Sequence, residues 1–147
     1  MSSSNEALIP EAIDVVLESL DEFVARGRAG IELAQVAIQA LSHWDEPHVV
    51  RILMGVADDP SHPRAVREAA LAALCRLEAP EAIELLGCTL FDPDVSEETR
   101  CACADALGEI GNYGALEALE DVQHDDPDGP LAACARAAIA NIRDGGA

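Results

Sequence analysis

Between Arg64 and Leu77 the apolar positions Val66, Ala70, Leu74 and Leu77 recur at i, i+4, i+8 and i+11. That spacing draws one stripe along a helix of 3.6 residues per turn. Glu78-Ala79-Pro80 interrupts the pattern, and Pro80 suits the first turn of a new helix. A second stripe follows at Ala82, Ile83, Leu86 and Leu90, and Asp92-Pro93 ends it. The stretch predicts two antiparallel helices joined by a tight turn. Long runs of alternating β-branched residues are absent, so strands are not expected.

The pattern recurs along the chain. Asp-Pro stands at Asp59-Pro60, Asp92-Pro93 and Asp126-Pro127, in steps of 33 and 34, and Pro47 and Pro80 are also 33 apart. Leu41, Leu74, Leu107 and Ile139 align at steps of 33, 33 and 32. A fixed period of this length predicts stacked two-helix units rather than one closed core. Three repeats are expected, over 31–59, 64–92 and 96–126. A leading helix over 6–26 and a trailing helix over 130–143 would cap them within one domain, 1–147. Asp94 or Ser96 is the expected N-cap of the third repeat, and Gly111 the stop of its first helix. The first (A) helix of each repeat carries Ala at every third or fourth position, which permits close packing. The fold class expected is all-α: a right-handed solenoid of antiparallel helix pairs, with about eight helices.

Charge narrows the partners. The chain of 147 residues carries 28 acidic and 9 basic side chains, a formal charge of −19, and every basic residue is Arg. Such a surface repels nucleic acid and anionic membranes alike. Solubility, a high-salt cytoplasm and an acidic face for a basic partner all fit it. No apolar run is long enough to span a membrane, and the N-terminus, Met-Ser-Ser-Ser-Asn-Glu, lacks the pattern of a secretory signal. A cytoplasmic location follows as the expectation, with the five Cys residues reduced and mostly acting as small core side chains.

Val66-Arg67-x-Ala69-Ala70-x-x-Ala73-Leu74, followed by Pro80-Glu81-Ala82-Ile83-x-x-Leu86, resembles the HEAT-like repeat. The short version first described in phycobilisome lyases is the more similar. Arg100-x-x-x-Ala104-x-Ala106-Leu107-Gly108-x-Ile110-Gly111 is a second match. The resemblance covers about residues 33–143 and implies fold far more than function. It also implies a structural ladder in which the Arg of each repeat bonds an Asp of the preceding turn. Asp59 would pair with Arg67 and Asp92 with Arg100, each eight residues apart, while Ala132 replaces the next Arg.

Catalytic and metal chemistry find little support. No Gly-x-Ser-x-Gly, His-x-x-x-His, Cys-x-x-Cys or His-Glu sequence is present. Cys101 and Cys103 point about 200° apart on a helix and cannot share a metal easily. Asp125-Asp126-Pro127-Asp128-Gly129 has the composition of a cation loop without the ligand spacing of an EF-hand. No cofactor, no metal and no catalytic residue is expected.

The remaining signal is a surface. In two-helix solenoids the second (B) helices line the concave side. Aligned, their free face carries Asp14, Val15 and Glu18; Arg51, Ile52 and Gly55; Glu84, Leu85 and Cys88; and Glu117, Ala118 and Asp121. This acidic-apolar strip suits another protein with a basic or amphipathic segment. The expected function is a non-catalytic adaptor or scaffold. An inhibitor covering a basic toxin or nuclease site, and an accessory subunit of a bilin lyase-like enzyme, are the alternatives.

Overall fold

The computed structural model describes residues 15, 19, 22, 25–43 and 47–145. The described residues are all-α, with no strand among them. The helices are α1 (Arg28–Leu41), α2 (Pro47–Asp58), α3 (Arg64–Leu77), α4 (Ile83–Thr89), α5 (Glu97–Ile110), α6 (Tyr113–Asp125) and α7 (Pro130–Gly145). A 3₁₀ turn, Pro80–Ala82, leads into α4. In repeat terms α1, α3, α5 and α7 are A helices, and α2, α4 and α6 are B helices. Val15, Ser19, Glu22 and Ala25 are helical and Arg26 already lies in a turn; the rest of the expected leading helix, Asp14 and Glu18 included, lies outside the described residues. No described helix is long and apolar enough to cross a membrane.

The chain divides into two compact units, Met1–Ala73 and Leu74–Ala147. In the first, Ala34, Ile38 and Leu41 of α1 are buried, as are Val49, Leu53 and Val56 of α2 and Val66 and Ala70 of α3. Each set follows the three-to-four-residue spacing of one helix face. In the second unit Leu74, Leu86, Leu107, Leu119 and Ile139 are buried, one from each helical segment. There α5 packs on α7 and α4 on α6, while α5 and α7 both touch α6. A helix lies on A helix and B helix on B helix, which is the layering of an α-solenoid.

Local chemistry sets the helix ends. Ser96 caps α5, its Oγ accepting from Thr99 N at 3.2 Å. Gly111 closes α5 in the left-handed region (φ 68), its N–H donating to Leu107 O at 3.0 Å. Glycine adopts that conformation without a Cβ clash. Asn112 then caps α6, its Oδ1 accepting from Ala115 N at 2.9 Å. A two-residue link of this kind turns α6 straight back on α5.

Two expectations are corrected. The direct Asp59–Arg67 and Asp92–Arg100 bonds do not form. Each Asp folds back onto its own turn instead: Asp59 Oδ1 accepts from Ser61 N (2.9 Å) and Ser61 Oγ (2.7 Å), and Asp92 Oδ1 from Asp94 N (2.9 Å). This local bond, two residues along the chain, is the natural competitor for an Asp in a turn. Arg67 Nε donates to His62 O at 3.1 Å, so it grips the turn through its backbone. Arg100 Nε is buried with no hydrogen-bond partner.

The cysteines are the second correction. Cys101 of α5 and Cys134 of α7 form a disulfide across adjacent A helices, with Cα atoms 5.7 Å apart, rather than remaining reduced. Their separation of 33 residues is one repeat period, which brings equivalent helix positions side by side. Cys75, Cys88 and Cys103 are free thiols.

Candidate protein-binding site

In the second unit the two B helices meet through small side chains. A Cβ added at Gly87 of α4 would lie 3.3 Å from Ala118 Cβ of α6, and one at Gly114 would lie 3.4 Å from Ile83 Cγ2. Nothing bulky fills the seam on its outer side. The result is an open trough of about 340 Å³ with a floor of Ile83, Gly87, Gly114 and Ala118. Glu84, Glu117 and Asp121 line it as well, and Cys88 and Phe91 complete the wall. All three acidic side chains are exposed, and no basic residue borders the trough.

Repeat register explains the arrangement. Glu84 and Glu117 occupy the same position one repeat apart, and so do Cys88 and Asp121. Stacking therefore sets carboxylates in rows rather than scattering them. Phe91 is 47% exposed, an unusual state for a large aromatic ring in a chain that has two Phe residues. Phe91 also borders a second cleft, of about 310 Å³, with Arg100, Leu131, Asp125 and Asp126.

Of the residues expected on the free B-helix face, Glu84, Cys88, Glu117, Ala118 and Asp121 come together around the trough. Leu85 does not line it; it is half-buried, and its carbonyl accepts from Thr89 Oγ1 at 2.8 Å. In the first unit Arg51 and Gly55 are exposed on α2 and Ile52 is half-buried. Ile83, Gly87, Phe91 and Gly114 belong to the trough without having been expected there. Helical spacing carried a signal for two of them, since Gly87 lies three residues beyond Glu84 and Gly114 three before Glu117.

The electrostatics are simple. The carboxylates stand at the solvent edge, where an approaching cation is attracted over roughly a Debye length, ~8–10 Å at physiological salt. The floor offers apolar area that gains from being covered. Among the described residues no three His, Cys, Asp or Glu side chains cluster to hold a metal ion.

No curated protein matches the chain. The model of the family described as HEAT repeats matches residues 61–140, more than half of the chain. With A helices on A helices and B helices on B helices, and a family match over the same repeats, the chain belongs to the HEAT-repeat family.

Proposed function

We propose that this protein is a non-catalytic interaction module, an adaptor or scaffold, whose B-helix face binds a basic, amphipathic segment of another protein. HEAT repeats generally mediate protein–protein interaction, and HEAT-repeat proteins are usually non-catalytic. The observation that carries the finer reading is the trough: an apolar floor bordered by Glu84, Glu117 and Asp121 and by no cation. A helix with an apolar stripe flanked by Arg or Lys would cover the floor and neutralise the acidic edge in one docking geometry.

The test is a titration of a fluorescent, helix-forming Leu/Arg peptide against the full chain, followed by anisotropy. Binding is expected to weaken steeply between low and high salt, and to be lost in the Glu84→Arg/Glu117→Arg double variant with helicity unchanged. A Leu/Glu peptide of the same length should not bind. Equal affinity for wild type and double variant would refute the assignment of this face.

A further inference from the structure

We propose that Cys75 and Cys103 form a reversible oxidation site, which closes a second inter-helix disulfide when the protein meets a low-molecular-weight disulfide such as oxidised glutathione. Cys75 Sγ, on the last turn of α3, lies 3.7 Å from Cys103 Sγ on α5. Cys103 is fully buried and Cys75 half-buried, whereas the third free thiol, Cys88, is exposed at the B-helix trough. The Cys101–Cys134 bridge closes the neighbouring A-helix pair α5 and α7, with Cα atoms 5.7 Å apart. That is the usual spacing for a disulfide, ~5.5–6 Å. Cys101 and Cys103, two residues apart, sit on opposite sides of α5, about 200° around the helix. One therefore meets α7 and the other meets α3. The second unit carries two cysteine pairs on one layer of helices, Cys101–Cys134 one repeat period apart and Cys75–Cys103 28 residues apart, and only the first is closed.

The chemistry runs in two exchanges. Cys75, the accessible partner, attacks one sulfur of the oxidant as its thiolate and expels the other sulfur as a thiolate. This leaves a mixed disulfide on Cys75. Cys103 then attacks Cys75 Sγ, the bond from Cys75 Sγ to the small sulfur breaks, the Cys103 proton passes to the departing thiolate, and the Cys75–Cys103 bond forms. Overall two protein thiols are oxidised to one disulfide and one small disulfide is reduced to two thiols. Burial and the hydrogen bond shape the order of events. The hydrogen bond with Cys75, and then burial, push the Cys103 thiol well above the ordinary thiol range, so it is no first attacker. A small dithiol reverses the sequence.

The experiment uses the full chain carrying Cys88→Ser, with Cys101–Cys134 intact, exposed to oxidised glutathione. Intact mass, thiol titration in denaturant and non-reducing peptide mapping are then read together. The free thiols should fall from two to none, the mass should drop by the two hydrogens lost, about 2 Da, and a Cys75–Cys103 linked peptide should appear. A dithiol should restore both thiols. A stable glutathione adduct on Cys75 with Cys103 still alkylatable would overturn the proposal, as would an unchanged titre. In a Cys75→Ser/Cys88→Ser chain, Cys103 should stay a thiol. Its glutathionylation at the original rate would overturn Cys75 as the point of entry.

Discussion

The A-helix and B-helix layers of the second unit use the same small residues to opposite ends. Between α5 and α7 the helices close completely. A Cβ at Gly108 would meet Ala138 Cβ at 2.9 Å and Ala138 Cα at 3.0 Å. Asn141 Nδ2 reaches across to donate to Gly108 O at 3.3 Å, and Cys101–Cys134 ties the pair covalently. Between α4 and α6 the contact is nearly as close, yet the seam opens into a trough. The difference lies in what surrounds the small residues. The A helices bring further apolar, polar and sulfur partners to the contact, whereas the B helices surround it with carboxylates that cannot be buried without a partner. One layer closes on itself, and the other stays open to solvent.

Substitutions should divide along that line. The largest loss is expected on the closed side: Leu107, fully buried, should cost about 2–5 kcal/mol when changed to Ala, read by denaturant unfolding. A loss below ~1 kcal/mol would remove Leu107 from the core. Gly108→Ala should come next, at about 1–3 kcal/mol, because the added methyl meets helix backbone rather than a flexible side chain. Gly55→Ala, with nothing within 4 Å, should instead stabilise slightly, since Ala favours a helix interior over Gly. If the two glycines respond alike, the close α5–α7 approach is not what sets the cost. Ser96→Ala should lose about 1 kcal/mol through the α5 cap, measured the same way. On the open side, Glu84→Arg/Glu117→Arg should change stability by no more than about 0.5 kcal/mol per substitution while abolishing peptide binding.

The smallest effect is in the turn before α3. The Ser61 hydroxyl and then the Ser61 backbone N–H hold the Asp59 carboxyl below its ordinary value of 3.8. A lowered folded value means that Asp59 stabilises the turn above pH 3.8, and that this contribution fades as pH falls through the lower, folded value. A carboxyl titration by NMR should place Asp59 below its ordinary value, and Ser61→Ala should raise it. A titration at or above 3.8 would show that the turn does not hold the carboxylate.

Much of this division was legible in the chain. Leu41, Leu74, Leu107 and Ile139, aligned by period, are all buried, and Gly111 and Ser96 end and begin helices where their chemistry suggested. Repeat register also placed Glu84, Cys88, Glu117 and Asp121 on one face, because a fixed helix period and a fixed repeat period together determine direction. The Asp–Arg ladder failed where two hydrogen-bond partners competed for one carboxylate, and the nearer backbone N–H won. The Cys101–Cys134 bridge was hidden in plain spacing: a separation of 33 is the repeat itself, but cysteines read as isolated core side chains conceal it. Phe91 sits between the last buried position of α4 and the Asp-Pro turn, where the stripe gives no direction.

Cys88 offers the most direct measurement, since its thiol is exposed and lines the trough. Its rate of alkylation by iodoacetamide, followed by mass mapping of the Cys88 peptide, should fall several-fold when the Leu/Arg peptide is present at saturation, and recover in high salt. A peptide that binds while Cys88 reacts at its original rate would contradict recognition by the B-helix layer.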